Sequence, residues 1–289
     1  MKLTITSLGA GALAIISAVA FSSCRGGGDE GTTSINIAGS DTMLQVGLAW
    51  QEGYKSVKKD VTLAVDGQGS STGFKALIDD KAQIAHSSRA IKSSEAEDIK
   101  AKYGKDAVEH IVGYDGIAVY VHPDNPVKSL TMAQLKEIWA EGGSVENWNQ
   151  VGGSDATIER MGRANNSGTY GFFQEHVLGK GTEFKPGTGA AAGSTAVVEF
   201  CATTPAAIGY SGMSYKTDAV GWLSVSAAEG EPAIEPSIAN VQDKSYPIAR
   251  PLYIYTVGEP EGAVKEYLDW IKGPDGQKIL AEQGFVPIK

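Results

Sequence analysis

The sequence predicts an α/β fold built on a parallel sheet with covering helices. Three observations carry this expectation. Three strand–loop–helix units follow one another between residues 35 and 103. Each junction between strand and helix is rich in hydroxyl groups. The chain then leaves this region at His122-Pro123-Asp124-Asn125-Pro126-Val127 and returns to an apolar strand from Tyr246 to Tyr255. Consecutive β-loop-α units in one region imply parallel pairing. The chain has 289 residues, more than one typical core holds, so two lobes are expected.

The first unit opens with the alternating Ile35-Asn36-Ile37-Ala38. Gly39-Ser40-Asp41-Thr42 forms its loop, and Met43, Leu44, Val46, Leu48, Ala49 and Trp50 fall at helical spacing. In the second, strand Val61 to Val65 leads through Gly67-Gln68-Gly69-Ser70-Ser71-Thr72-Gly73 into a helix from Phe74 to Ile78. The third runs from Gln83-Ile84-Ala85-His86 through Ser87-Ser88-Arg89 to a charged helix over 93–103. Ligands of open parallel sheets sit beyond the carboxyl ends of the strands, near helix N-termini. That rule places all three loops on one rim.

Beyond them, Ile117 to Val121 reads as a buried strand preceded by Asp115-Gly116, and a helix is expected over 131–140, capped by Ser129 or Thr131. A loop carrying Trp148 follows, then a strand over 158–162. Residues 179–193 are rich in Gly and Ala and read as irregular; 194–201 fits a helix. Strands are expected at 206–210 and 220–225, and the chain closes with helices near 261–271 and 274–283.

The amino terminus reads as an export signal, with Lys2, an apolar run from Leu8 to Phe21, and Ser22-Ser23-Cys24. This run is shorter than the about 20 residues of a spanning helix. Ending at a cysteine resembles a bacterial lipobox, with Cys24 as the lipidated first residue and Phe21 where leucine is usual. A plain signal peptide with an incidental cysteine, or a membrane anchor, is the alternative. Residues 24–33 are Gly-rich and polar, which suits a tether. Losing Lys2 with the leader moves the formal charge from −9 to −10. A net acid chain argues against nucleic acid or an anionic membrane as partner. It does not exclude a small anion, which local dipoles and one arginine can hold. With Cys24 lipidated, only Cys201 remains, so no internal disulfide is available.

The chemistry centres on Arg163-Ala164-Asn165-Asn166-Ser167-Gly168-Thr169, which runs into Tyr170 to Val177. A guanidinium, hydroxyls and the N-terminus of a helix form a recipe for holding an oxyanion. An ordinary cap by Ser167 or Thr169, with Arg163 solvated, explains the same residues. A hydrolase is a further alternative, because Gly69-Ser70-Ser71-Thr72-Gly73 matches a nucleophile elbow centred on Ser71. His86, His110, His122 and His176 follow it, but none has a recognisable triad context. Gly67, Gly69 and Gly73 miss the dinucleotide spacing, and no P-loop occurs. The histidines and Cys201 show no metal spacing. No metal or cofactor is expected.

Taken together, the loops at 39–42, 67–73, 84–89 and 163–169 resemble the phosphate-binding proteins of phosphate ABC transporters. The stretches Leu130-Thr131 to Trp148, Ile208-Gly209-Tyr210 and Tyr246-Pro247-Ile248 to Tyr255 are similar too, so the likeness spans roughly Ile35 to Lys289. The resemblance implies the two-lobed periplasmic-binding fold of type II, with two crossovers and the ligand in the cleft. Lobe one would be 34–121 plus 246–289, and lobe two 122–245. It implies a monomeric receptor that hands phosphate to permease subunits, without catalysis. Matching ligand residues would be Ser40, Thr42, Ser70, Arg163, Ser167, Gly168 and Thr169, with Ser88 and Arg89 at a loop that varies in the family.

Two departures stand out. The family often carries an acid at position 83 or 88, and another two residues after the arginine; this chain has Gln83, Ser88 and Asn165. Hydrogen phosphate carries a proton and needs an acceptor, whereas sulfate does not. Asp115, at a strand end, is the first candidate acceptor and Asp41 the second; both also suit loop capping. The missing acid leaves receptors for sulfate or molybdate as alternatives.

Overall fold

The computed structural model describes residues 32–288. The expected leader 1–23, the lipidation site Cys24 and the tether up to residue 31 lie outside the described residues.

The first region runs β1 (Thr33–Gly39), a 3-10 turn (Asp41–Met43), α1 (Leu44–Val57), β2 (Val61–Asp66), α2 (Ser70–Ile78), β3 (Ile84–Ser87) and α3 (Ser93–Tyr103). A long strand β4 (Ala107–Val121) follows. Next come β5 (Ser129–Thr131), α4 (Met132–Trp139), β6 (Glu159–Arg163), α5 (Gly168–Phe173), β7 (Gly189–Ala191), α6 (Ser194–Thr203), β8 (Ala207–Gly212), β9 (Gly221–Ser226) and α7 (Ile238–Gln242). The chain ends with β10 (Ala249–Val257), α8 (Gly262–Lys272) and α9 (Pro274–Glu282).

The strands lie in the order β2-β1-β3-β10-β4-β8-β6-β7, with β9 beside β4 and β5 beside β9. As expected, β1 pairs parallel to β2 and β3. β4 joins two half-sheets. Its residues 107–116 pair antiparallel with β10, and 117–121 pair with β8 and β9. The strand therefore changes partner between Gly116 and Ile117. The second crossing lies just before β10, where the Ile117 N–H donates to the Ile248 carbonyl and the Tyr246 hydroxyl to the Ile117 carbonyl. Both half-sheets are covered by helices, which gives two lobes.

Each lobe has its own apolar core. In lobe one, Trp50 and Tyr54 of α1 pack on one face of the sheet with Tyr267 and Ile271 of α8 and Leu280 of α9. Phe74 and Leu77 of α2 and Ile99 of α3 cover the other face. In lobe two, the Phe173 and Tyr210 rings stack 3.9 Å apart and nearly parallel, with the Trp139 edge against both. Such stacking adds roughly 0.5–1.5 kcal/mol beyond burial. It also fixes α5 on β8, and the Tyr210 hydroxyl accepts the Arg163 N–H at 3.4 Å.

Some expectations shift. α2 begins at Ser70 rather than Phe74, because Gly69 at φ 111° makes the turn into the helix. α4 is capped by Thr131, not Ser129: Thr131 Oγ1 accepts the Gln134 N–H and Gln134 Oε1 accepts the Thr131 N–H. Residues 107–116 are strand, although Glu109 and His110 interrupt the apolar pattern there.

Candidate anion-binding site

The expected loops meet across the cleft. Lobe one brings the C-terminal ends of β1 and β3 and the start of α2. Lobe two brings the turn between β6 and α5, and the start of α6. Ser40, Thr42, Ser70, Ser88, Arg163, Ser167, Thr169 and Ser194 are all buried there. Several hydrogen bonds hold the lobes together, among them the following. Thr42 Oγ1 and Thr169 Oγ1 share a hydrogen bond of 2.9 Å. Ser71 N–H donates to the Asn166 carbonyl at 3.1 Å, and Asn166 Nδ2 donates to the Gln68 carbonyl at 2.8 Å. Arg163 Nη2 reaches Asp41 Oδ2 at 2.8 Å. The lobes are closed on one another.

Gly168 makes the closest approach possible. A Cβ at this position would stand 2.3 Å from Ser70 Oγ and 2.5 Å from Ser88 Oγ. No side chain fits between the lobes here.

Local structure also decides how the hydroxyls are used. Ser167 caps α5, its Oγ accepting the Thr169 and Tyr170 N–H groups. Ser70 Oγ accepts the Ser88 N–H at 3.1 Å, and Ser88 Oγ accepts from Ser40 Oγ at 2.9 Å. A hydroxyl has one proton to give. Once its oxygen accepts a backbone N–H, that proton is free to be donated elsewhere. The Ser70 and Gly168 N–H groups, first in their helices, have no intrahelical acceptor. The cluster is thus rich in donors, as a deprotonated oxyanion requires.

Two buried arginines frame it. Arg163 donates to Ser194 Oγ at 2.8 Å and to the Ala192 carbonyl as well as to Asp41. Its Nε is buried without a hydrogen-bond partner. The second is Arg250 on β10, which carries no local signal in the sequence. Its Nη2 and Nε donate to Asp115 Oδ2 at 2.8 and 3.2 Å, and its Nη1 to the Ser88 carbonyl at 2.9 Å. Burial pushes the Asp115 carboxyl up, opposed by the attraction of Arg250.

Comparison with known proteins agrees with this architecture. A family model described as a PBP superfamily domain matches residues 27–274. The phosphate-binding protein PstS of Bacillus subtilis is 34% identical over 264 residues, covering 91% of this chain and 83% of its own. That of Pseudomonas aeruginosa is 32% identical over 269 residues, covering 88% and 83%. This chain belongs to the PBP superfamily and, within it, to the phosphate-binding PstS family. A solved substrate-binding protein from Clostridium perfringens, with bound phosphate, matches with a TM-score of 0.80 at 33% identity, over 89% of this chain and 100% of its own. An ABC-type phosphate transport receptor from Vibrio cholerae matches with a TM-score of 0.71 at 25% identity, over 88% and 100%. The fold is the type II periplasmic-binding architecture.

Against the family pattern, the residues of this chain fall into three groups. Ser40, Thr42, Ser70, Ser88, Arg163, Ser167, Gly168 and Thr169 come together. Arg89 does not join them: both its Nη atoms pair with Glu95, at 2.8 and 2.6 Å, and Nη2 also donates to Ser71 Oγ. Its guanidinium lies over the Phe74 ring, on the flank of α2. Glu95 draws it there, because a carboxylate in the first turn of α3 is a stronger partner than neutral hydroxyls. The positions where an acid is frequent supply none: Gln83 is exposed at the far end of β3, Asn165 is exposed, and Ser88 is part of the hydroxyl cluster. Asp115 is fully buried behind Arg250, whereas Asp41 lies in the cluster itself.

Ser71 Oγ is held by Arg89, and each histidine is engaged elsewhere. His86 packs edge-on to Trp50, His110 contacts Thr256, His122 contacts Asp124 and His176 contacts the Pro247 carbonyl. Among the described residues, no group of His, Cys, Asp and Glu could hold a metal ion. No helix of the described residues is long and apolar enough to cross a membrane.

Proposed function

We propose that this protein is an extracytoplasmic receptor that captures inorganic phosphate between its lobes and delivers it to the permease subunits of an ABC importer. The observation that carries this reading is the donor-rich cluster built from both lobes around the buried Arg163. Ser40, Thr42, Ser70, Ser88, Arg163, Ser167, Gly168 and Thr169 hold the anion. Each charge-assisted hydrogen bond contributes about 1.5–3 kcal/mol. Closure removes water and makes all of them at once, with the lobes pivoting on the crossings near 116–117 and 246–249.

The proton of hydrogen phosphate goes to Asp41. Its carboxylate lies inside the cluster, so it replaces Asp115 as first candidate. The leader at 1–23 exports the chain, Cys24 carries the lipid anchor, and the receptor works as a monomer.

Isothermal titration with phosphate and sulfate tests the reading. Binding at micromolar phosphate with little heat from sulfate is expected; no phosphate heat overturns it. The neutral residues at 88 and 165 favour a second reading, a receptor for sulfate or molybdate. Preference for either anion in the same titration would establish it.

A further inference from the structure

We propose that Arg250 is a second cationic residue of the anion site, and that it positions Thr42 as a hydrogen-bond donor from the hinge. The inference rests on the phosphate reading above and extends it to a residue outside the four loops.

Arg250 stands opposite Asp115 in the β4–β10 ladder, one residue before the strand passes into lobe two. Its side chain is fully buried. Besides its bonds to Asp115 and the Ser88 carbonyl, Nη2 stands 3.4 Å from Thr42 Oγ1, a long hydrogen bond. A guanidinium only donates. Thr42 Oγ1 therefore accepts from Arg250, and its own proton is turned outward, toward Thr169 or an anion between the lobes. Arg250 also holds the Ser88 backbone, so one side chain positions two loops of lobe one. Burial lowers the pKa of Arg250, Asp115 opposes this, and the nearby charge of Arg163 adds a smaller push in the same direction as burial. The two cations thus act on one cluster.

A simpler role would be to neutralise Asp115. A buried ion pair is a poor source of stability, since two apolar side chains of similar size often do as well. Its position at the crossing, in reach of Thr42, points to the site instead. Asp115 then has the matching task of fixing the guanidinium plane, because both Nε and Nη2 bind the same oxygen.

The test is a double-mutant cycle read by phosphate titration. Arg250→Met is made together with Asp115→Asn, so that no buried charge is left unpaired, and is combined with Thr42→Val. Thermal melts establish folding. The charge-free pair should bind phosphate at least tenfold more weakly than wild type. Thr42→Val should cost much less in that background than alone, because Thr42 has already lost its orientation. Wild-type affinity in the charge-free pair overturns the proposal. Weakened binding with fully additive losses overturns the route through Thr42. Arg250→Lys, which keeps the charge but not the fork, covers the case in which the pair fails to fold. Weaker phosphate binding by this variant supports the proposal, and wild-type affinity refutes the positioning of Thr42 through the guanidinium fork. A wild type that does not bind phosphate instead overturns the functional reading on which the inference rests.

Discussion

Asp41 Oδ2 lies 2.8 Å from Arg163 Nη2, joining residues 122 positions apart in the chain. The same oxygen accepts the Ser194 N–H and Oγ, at 2.9 and 2.8 Å. A lobe-one carboxylate therefore sits on the N-terminus of α6 and on the main cation of lobe two. Asp41 bridges the lobes, and it is the acceptor proposed above for the proton of a bound phosphate. Asp41→Asn keeps the shape, removes the charge and offers an amide donor. The ratio of sulfate to phosphate affinity should rise at least tenfold, as measured by titration with both anions. An unchanged ratio would remove Asp41 as the acceptor.

Arg163→Ala should abolish tight phosphate binding, by a hundredfold or more. Breaking a buried charge pair costs about 3–5 kcal/mol, and part of that cost is Asp41 left unpaired. Arg163→Ala combined with Asp41→Asn separates the two effects. The double variant should still bind at least tenfold more weakly than Asp41→Asn alone, and equal affinity would show that Arg163 serves only to neutralise Asp41.

Gly168→Ala separates closure from stability. The added Cβ would collide with Ser70 and Ser88 across the cleft. Gly168 is the first residue of α5 and has no left-handed φ, so alanine fits the helix backbone there. The variant should melt no lower than wild type without ligand, yet bind phosphate at least a hundredfold more weakly. Near-normal affinity would mean that the lobes need not approach this closely.

The features legible in the sequence are the local ones. Ser167 accepts N–H groups two and three residues ahead, so its cap is written into Ser167-Gly168-Thr169-Tyr170. The three strand–loop–helix units announce the rim for the same reason. Arg250 was illegible because its partner Asp115 lies 135 positions away, brought opposite only by the β4–β10 ladder. The position of Arg89 beside Glu95 has a local cause written in the sequence. Glu95 follows Lys92 by three residues and accepts its N–H, marking the start of a helix whose first-turn carboxylate is poised for Arg89. The two-lobe division comes through β4, whose first half carries Glu109 and His110 where an apolar run would have signalled a strand.

His86 should make stability fall on mild acidification. It is fully buried on β3, two residues before Ser88, and its carbonyl accepts the Ser40 N–H that sets the first loop. Burial lowers its pKa to about 4, and its Nε2 has no hydrogen-bond partner. The unfolded chain takes up the proton near the usual value of about 6.5, while the folded protein resists it. The unfolded state therefore binds more protons between pH 6.5 and 4. Stability contributed by the neutral ring is intact above this window, is lost as pH falls through it, and changes no further below. The loss approaches about 1.4 kcal/mol per pH unit, so roughly 2 kcal/mol between pH 6.5 and 5. His86→Gln removes the titration while keeping a polar side chain of similar reach. Urea unfolding of phosphate-free protein at pH 7 and 5 should show wild type losing about 2 kcal/mol more than the variant. Equal losses would mean that His86 is hydrated or partnered in solution.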